Sequence, residues 1–217
     1  MTWSERASEN WAAVVDASPQ WVPLVADFTG SRWRDREHYA AQVAETQFAL
    51  ATDRGVVPKR ADIDRLRDVI VTAFDTLESD RAHQNFLYVP ADPRLLPLPV
   101  FLAVWEVSGD REAALGHYSG ADVPGAVEPP IVEEFSTGPL GGGRRVLRYD
   151  LAPDGSQALS ATLTYAWRSE DYPSDIQLIT STPHLGQLFS ALEDIDAFAR
   201  CIVPTPDPSR SPGFLDR

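Results

Sequence analysis

Residues 157–203, QALSATLTYAWRSEDYPSDIQLITSTPHLGQLFSALEDIDAFARCIV, decide the fold class of this chain. Apolar and polar side chains alternate in 159–167 and again in 176–181, on either side of a polar loop that contains Pro173. Alternation with a period of two is typical of half-buried strands, so this part predicts a β-hairpin. The apolar residues that follow recur at three- and four-residue steps, which predicts one long amphipathic helix. They are Leu185, Leu188, Leu192, Ile195, Phe198 and Ile202.

The chain before this hairpin predicts further strands. Residues 131–135 and 144–151 are separated by the glycine-rich segment 138–143, which predicts another hairpin. Residues 100–107 are apolar except for one glutamate, as in a strand buried on both faces, and residues 85–89 predict a shorter strand. We therefore predict an α+β fold with a mostly antiparallel sheet of about six strands, a β-meander in its C-terminal half, and flanking helices.

The N-terminal region predicts a pair of helices behind a tryptophan-rich arm. Residues 34–53 and about 62–81 carry apolar residues at helical spacing, with Asp62 as the N-cap candidate of the second helix. Residues 1–33 hold four of the six tryptophans, and the sequence around Trp11 predicts a short helix. Tryptophan is frequent both in cores and at interface hot spots, so the arm either packs on the main core or binds a partner.

A chain of 217 residues has the length of one domain. We place that domain at residues 1–203, with the tryptophan-rich arm at 1–33 and the helical pair at 34–81. Residues 204–217 contain four prolines. This composition predicts a proline-rich tail that is extended or has no fixed structure.

The charge and hydropathy of the chain argue against some classes of partner. The formal net charge is -13, and an acidic surface is repelled by nucleic acids and by anionic membranes. No apolar stretch reaches the roughly 18 residues that a membrane-spanning helix needs. The first residues lack the basic and apolar regions of a secretory signal, so we expect a cytoplasmic protein with no nucleic-acid or membrane partner.

The sequence contains no motif of a catalytic or cofactor site. Cys201 is the single cysteine, so neither an intrachain disulfide nor a cysteine-based zinc site can form. No two of the four histidines have the spacing of a helical metal site, although spacing alone leaves a site built from dispersed histidines and aspartates open. The glycine-rich residues 138–143 lead into a strand, which favours a flexible hairpin over a phosphate loop. We predict no catalytic residue and no cofactor, and we assign no metal ligand.

One group of residues is a candidate for a ligand pocket over the predicted sheet. Tyr165 and Trp167 share a face of one strand, and Arg148 or Arg168 would then lie at the rim. His117 precedes a segment rich in glycine and proline and is the histidine we assign to such a site. If helices cover this face of the sheet, the two aromatic rings belong to the core instead. The candidate ligand-binding residues are therefore His117, Arg148, Tyr165 and Trp167.

A series of short motifs resembles a known group of proteins. In chain order these motifs are Thr137-Gly138-Pro139, Arg144 with Val146 and Arg148, Tyr165, Ile179-Thr180-Ser181-Thr182-Pro183, and Asp194-Ile195-Asp196-Ala197-Phe198-Ala199. Their order resembles small actinobacterial proteins of the PsbP-like group, over about residues 85–203, and a GC-rich genome would also explain why 18 of the 19 basic residues are arginine. The resemblance implies an antiparallel sheet sandwiched between helices, and binding or accessory roles rather than catalysis.

Two functional hypotheses follow from the sequence. The first is a non-enzymatic, cytoplasmic binding or accessory protein that recognises a protein partner or a second copy of itself. Its candidate contacts are Trp3, Trp11 and Trp21. The alternative is a small-molecule carrier or an enzyme with a pocket over the sheet. A deep pocket with converging polar groups would favour the alternative, whereas an exposed patch of those tryptophans would favour partner binding.

Overall fold

The computed structural model describes residues 11–25, 28–76, 84–151 and 158–205. These residues form four α-helices and nine β-strands. The strands are β1 (Trp11–Val14), β2 (Trp21–Leu24), β3 (Gln84–Tyr88), β4 (Leu98–Trp105), β5 (Ile131–Thr137), β6 (Gly141–Leu151), β7 (Leu159–Ser169), β8 (Ser174–Thr182) and β9 (Ile202–Thr205). The helices are α1 (Arg36–Thr52), α2 (Arg60–Thr76), α3 (Arg111–Ser119) and α4 (Leu185–Ala199).

The strands form one large sheet and one small one. The large sheet has the strand order β2-β3-β4-β8-β7-β6-β5, and the small sheet joins β1 to β9. The pairings of β5 with β6, β6 with β7, β7 with β8 and β4 with β8 are all antiparallel. These pairings confirm the predicted α+β fold and the meander in its C-terminal half. The large sheet has seven strands, because residues 21–24 also pair as a strand.

The chain divides into two compact units. Unit 1 holds the described residues of 11–17 and 100–205, and therefore most of β4, helices α3 and α4, and the strands β1 and β5 to β9. Unit 2 holds the described residues of 18–76 and 84–99, and therefore β2, β3, α1 and α2. Within the described residues, no helix combines the length and the apolar character that a membrane span requires.

Helices α3 and α4 lie on opposite faces of the unit 1 strands. The Tyr165 hydroxyl on β7 donates a hydrogen bond to Asp196 on α4, and the Gln177 side chain on β8 donates to the carbonyl of Tyr118 on α3. Tyr165 is the ladder partner of Leu178. Because successive residues of a strand alternate between faces, Gln177 points away from Tyr165. The centre of β7 is therefore buried on both faces, whereas the period-two pattern of the sequence predicts a half-buried strand.

One part of the core of unit 1 lies between α4 and the sheet, and another buried cluster includes residues of α3. Tyr165 and Trp167 stack beneath α4 with ring centroids 5.8 Å apart and ring planes 7° from parallel. Gly143 on β6 makes room for the indole, since a Cβ atom at this position would lie 2.3 Å from Cδ1 of Trp167. Gly143 therefore belongs to the strand and not to the turn that the sequence predicts, and β6 begins at Gly141. The α4 residues that cover this core are Leu188, Ala191, Ile195, Phe198 and Ala199.

Unit 2 combines helices α1 and α2 with the β2–β3 pair. Asp35 caps α1, because its carboxylate accepts a hydrogen bond from the backbone N–H of His38 at 2.8 Å. Tyr39 of α1 packs edge-on against Phe74 of α2 with ring centroids 6.0 Å apart, and its hydroxyl donates to the carbonyl of Pro23 in β2. Proline cannot donate to a strand ladder, and Pro23 is tolerated because β2 is the outermost strand of its sheet.

The short helix predicted around Trp11 is wrong. Residues 11–14 form β1, which pairs with β9 from Trp11↔Thr205 to Val14↔Ile202. A short apolar run suits a strand as well as a helix, and the partner strand that decides the outcome lies at the other end of the chain. The same pairing places residues 204–205 of the predicted tail in a strand, while residues 206–217 lie outside the described residues.

Candidate functional site

An open groove runs alongside helix α2 in unit 2. Its volume is about 560 Å³, which falls within the range of roughly 300–1,000 Å³ that is typical of ligand pockets. One wall comes from α2, and the other comes from β3 and the chain that enters β4. The residues that line it, and that define the α2 groove, are Ala61, Arg65, Asp68, Val69, Thr72, Ala73, Leu87, Pro97 and Pro99.

The sequence of α2 explains why one side of this helix borders the groove. The helix begins at Arg60, so Asp62 lies in its first turn and is not the N-cap residue that the sequence predicts. The Asp62 carboxylate accepts a hydrogen bond from the N–H of Lys59 at 3.2 Å, which joins the helix start to the preceding loop. Residues one turn apart share a helix face, so Arg65, Val69 and their neighbours form a continuous stripe along the groove.

The opposite wall is apolar and stiff. Leu87 is buried, and Pro97 and Pro99 are half-buried. Proline has a fixed φ angle and no backbone N–H, so these two positions offer neither mobility nor a hydrogen-bond donor. Leu95 and Leu96, which directly precede Pro97, have 54% and 48% of their surface exposed. Their exposed side chains lie on the loop that leads directly into this wall.

Polar groups at the rim of the groove are already paired with one another. Arg65 donates to the backbone carbonyl of Arg94 at 2.5 Å, and Arg94 Nε donates to Asp92 at 2.8 Å. The hydrogen bond from Arg94 is the main reason why the pKa of Asp92 lies below its usual range. Asp68 accepts a hydrogen bond from Arg67 at 2.7 Å. The hydrogen bond between Arg65 and Arg94 holds the loop before Pro97 against α2.

The structure does not bring the four predicted ligand-binding residues together. Tyr165 pairs with Arg145 of β6, and Arg148 lies three residues further along that strand, so it points to the opposite face. Tyr165 and Trp167 lie beneath α4 with 0% and 1% of their surface exposed. His117 belongs to α3, which lies on the same face of the sheet as Arg148. The two aromatic rings are therefore core residues, which is one of the two interpretations that the sequence left open.

Arg148 fastens the turn that follows α3. Its Nε donates to both carboxylate oxygens of Asp150, at 2.9 Å each. Its terminal nitrogens donate to the backbone carbonyls of Gly120 at 3.3 Å and Pro124 at 3.0 Å. A guanidinium group has five N–H donors in one plane, and here they are directed at the protein itself. His117, in the last turn of α3, is half-buried, and this burial lowers its pKa.

A polar network connects α4 to β5, β6 and β7. Asp196 of α4 accepts hydrogen bonds from the Tyr165 hydroxyl and from Arg145, the latter at 3.1 Å. Arg145 also donates to Glu133 of β5. Burial, together with the hydrogen bond to Asp196, raises the pKa of Tyr165 far above its ordinary value, so the hydroxyl keeps its proton. The network positions α4 on the sheet.

The predicted partner-binding tryptophans have different surroundings. Trp21 begins β2, has 3% of its surface exposed, and packs with its ring centroid 5.0 Å from that of Tyr88. The structure therefore places Trp21 in the interior of unit 2. Trp3 lies outside the described residues, and so does the side chain of Trp11, whose backbone begins β1. A binding role for Trp3 and Trp11 stays a prediction.

Sequence reasoning missed the α2 groove. It predicted only that apolar residues recur at helical spacing in this region, and among them Leu66 and Ile70 are buried in the structure. The signal that was available is a second apolar stripe, with Val69 and Ala73, in a helix followed by a strand and then by a rigid proline-containing segment.

Comparison with known proteins adds no family to this description. The sequence matches no protein-family model, and no curated protein matches it. The resemblance to the PsbP-like group stays a prediction from short motifs. Among the described residues, no group of three or more His, Cys, Asp or Glu side chains is arranged to hold a metal ion.

Proposed function

We propose that this protein is a non-enzymatic binding protein that holds an apolar, uncharged segment of a protein partner in the α2 groove. The observation that carries this proposal is the chemical contrast between the floor and the rim of the groove. The floor contains Val69, Ala73 and Leu87, whereas the charged groups lie at the rim. Ala73 and Leu87 are already largely buried, so a partner gains free energy mainly by covering the half-exposed Val69 and the two half-exposed prolines of the opposite wall.

The balance of charge at the rim supports an uncharged segment. The groove lining itself contains one positive and one negative side chain, Arg65 and Asp68. Both are hydrogen-bonded within the protein, Arg65 to the carbonyl of Arg94 and Asp68 to Arg67. A strongly charged ligand would meet an opposite charge and a like charge together. The whole chain has a net charge of -13, so this local balance distinguishes the groove from the rest of the acidic sequence.

The exposure of the surrounding residues supports a macromolecular partner. Ala61, Arg65 and Thr72 are exposed along the helix wall, and Leu95 and Leu96 are exposed on the loop that leads into the other wall. Small-molecule sites usually bury most of the ligand's surface. An open groove with exposed leucines on the adjoining loop is more typical of a protein-binding surface.

One observation favours the second candidate, a carrier of a small apolar molecule. The volume of about 560 Å³ is enough for a drug-sized ligand. This candidate predicts that the ligand stays bound to the protein during purification under native conditions. It also predicts that substitutions in the groove floor remove the ligand without changing the set of associated proteins.

The experiment that separates these candidates is native mass spectrometry of the tagged full chain, purified from the cells that normally produce it. Val69→Lys places a charge in the groove floor, and lysine is compatible with a helix. Val57→Lys is the matched control, because Val57 is 79% exposed and lies outside the groove lining. Circular dichroism and thermal unfolding establish that both variants keep the fold.

The proposal predicts a complex with a different protein that Val69→Lys reduces at least tenfold and Val57→Lys leaves unchanged. A retained small molecule that disappears only in Val69→Lys would support the carrier instead. A dimer that depends on Val69 would identify a second copy of the chain as the occupant. A complex that is equally abundant in both variants would overturn the assignment of the groove.

A further inference from the structure

Strand β5 forms one outer edge of the large sheet and, as described, lacks several of the features that keep edge strands from pairing. It is the last strand in the sheet order, and within the described residues it pairs with β6 alone. Its register is continuous from Ile131↔Leu147 to Thr137↔Gly141, so it contains no bulge. It is seven residues long and contains neither proline nor lysine. Shortness, bulges, prolines and lysines keep many edge strands from pairing with other chains, and other charged side chains contribute as well. β5 has only this last protection, in Glu133 and Glu134, and a partner of complementary charge would overcome it.

The strand at the other end of the sheet order shows these features. β2 has only four residues, and one of them is Pro23, which has no backbone N–H to donate. Its outer edge is therefore a poor template for another strand. β5 is longer and contains no proline. The backbone of β5 is therefore a better template for another strand than the backbone of β2.

The side chains of β5 combine exposed apolar surface with an unpaired negative charge. Val132 has 49% of its surface exposed, and Glu134, two residues further on the same face, is exposed. Arg144 lies directly opposite Glu134 in the ladder. Its guanidinium donates instead to Glu112 of α3 at 2.8 Å. Among the described residues, the Glu134 carboxylate therefore has no hydrogen bond or ion pair.

The neighbouring glutamate behaves differently. Glu133 points to the other face of β5, and its carboxylate accepts a hydrogen bond from Arg145. Arg145 in turn donates to Asp196 of α4. Arg145 is therefore shared between Glu133 and Asp196, whereas Glu134 has no ion-pair partner among the described residues.

We propose that β5 is a docking edge for an extended segment of a protein partner that carries lysine or arginine opposite Glu134 and an apolar residue opposite Val132. The main chain of the partner pairs with the free edge of β5, which provides affinity without regard to sequence. The side chains in register provide selectivity, because opposite charges in cross-strand positions stabilise a pair and like charges destabilise it.

Charge also argues against a second copy of this chain as the occupant. Antiparallel self-pairing centred near Glu134 would bring the acidic residues of two β5 strands directly opposite one another, where like charges are destabilising. Each chain also has a net charge of -13, so the approach of two copies is opposed at low ionic strength. A basic, extended segment is not subject to either of these charge repulsions.

The test uses two synthetic peptides and the full-length, isotope-labelled protein. The first peptide, acetyl-Thr-Val-Arg-Thr-Val-Ile-amide, places Arg opposite Glu134 and Val opposite Val132 in an antiparallel pairing. The second peptide has Glu in place of Arg. Amide chemical shifts report where each peptide binds, and titration gives its affinity. The variants are Glu134→Lys and, as a matched control, Glu170→Lys, which makes the same charge change at an exposed position in the β7–β8 loop.

The proposal predicts shifts concentrated in residues 131–137 and at least about threefold tighter binding of the arginine peptide. Glu134→Lys is expected to reverse the preference, whereas Glu170→Lys retains it. Shifts outside β5, equal affinity for the two peptides, or a preference that Glu134→Lys does not reverse would overturn the proposal. Shifts of the β5 amides that depend on protein concentration alone would indicate self-pairing and would also overturn it.

This edge belongs to unit 1, whereas the α2 groove belongs to unit 2. The two proposals are therefore tested independently. Val69→Lys is expected to leave peptide binding at β5 unchanged. Glu134→Lys is likewise expected to leave a complex at the α2 groove intact.

Discussion

The hydroxyl of Tyr165 on β7 donates a hydrogen bond to Oδ1 of Asp196 on α4, and this bond fastens the C-terminal helix of unit 1 to the sheet. Arg145 donates to the same oxygen at 3.1 Å. The Asp196 side chain is 27% exposed, so part of its carboxylate is withdrawn from water and is hydrogen-bonded by these donors. A hydrogen bond to a charged group contributes about 1.5–3 kcal/mol to stability.

Tyr165→Phe is expected to lower the free energy of unfolding by about 1.5–3 kcal/mol, because the substitution removes the hydroxyl donor and keeps the buried ring. Urea-induced unfolding followed by circular dichroism measures the change. Tyr149→Phe, at a half-buried position on β6, is the matched control and is expected to change stability much less. An equal loss in the two variants would contradict the role assigned to the Tyr165–Asp196 bond.

Gly143→Ala is expected to destabilise the protein by about 1–3 kcal/mol through overpacking. The added Cβ would lie 2.3 Å from Cδ1 of Trp167 and 2.5 Å from the backbone oxygen of Ala166, which cannot move away as a flexible side chain would. Gly138→Ala is the control, because no atom lies within 4 Å of a Cβ built there. Thermal unfolding should show a clearly lower Tm for Gly143→Ala alone. Similar Tm values would mean that Trp167 does not pack on Gly143 as described.

Arg148→Lys is expected to lower the free energy of unfolding by about 1–3 kcal/mol, although it keeps the positive charge. A lysine ammonium group cannot reproduce the planar set of hydrogen bonds to Asp150 and to the backbone carbonyls of Gly120 and Pro124. Chemical denaturation of the variant measures the loss. Arg144→Lys, whose guanidinium donates to the exposed Glu112, serves as the control. Unchanged stability in Arg148→Lys would indicate that Arg148 is free for a ligand after all.

His117 is expected to make stability depend on pH below neutrality. Burial lowers its pKa in the folded protein, so the unfolded chain takes up its proton first as the pH falls through the ordinary histidine value of about 6.5. Proton uptake by the unfolded state decreases the free energy of unfolding, and full stability returns above that value. His117→Gln should therefore lose less stability than the wild type between about pH 7.5 and 5.5.

Urea unfolding at the two pH values measures this difference. His184→Gln replaces an exposed histidine and is the control for the loss of an imidazole. If His117→Gln and the wild type lose the same stability over this range, another group accounts for the pH dependence.

The elements that local pattern determines could be predicted from the sequence. The alternation in 159–167 and 176–181 and the three- to four-residue spacing after Leu185 predicted β7, β8 and α4, because period-two and period-3.6 burial follow directly from backbone geometry. β1 could not be predicted in this way. Its four residues are a strand because β9 pairs with them, and such a long-range partner leaves no local signal.

The candidate site was less predictable than the fold. Because alternate residues of a strand point to the same face, the sequence correctly placed Tyr165 and Trp167 on a common face. The register between β6 and β7 decides that Arg148 lies on the opposite face of the sheet from Tyr165. The aromatic pair is buried because α4 covers it. Neither feature can be read from the spacing within one strand. The α2 groove depends on how a helix, a strand and a proline-containing segment pack in three dimensions, and spacing within α2 alone does not show that packing.

The most direct test of the central claim is site-specific photo-crosslinking in the cells that normally produce the protein. A photoreactive phenylalanine derivative replaces Ala61, an exposed residue of the groove lining, and in a control chain it replaces Glu45, an exposed residue of α1 outside the groove. The account predicts a discrete adduct with another protein from position 61, a strong reduction of this adduct by Val69→Lys, and no such adduct from position 45. The same adduct from both positions, or none from position 61, would contradict the claim that the α2 groove binds a protein partner.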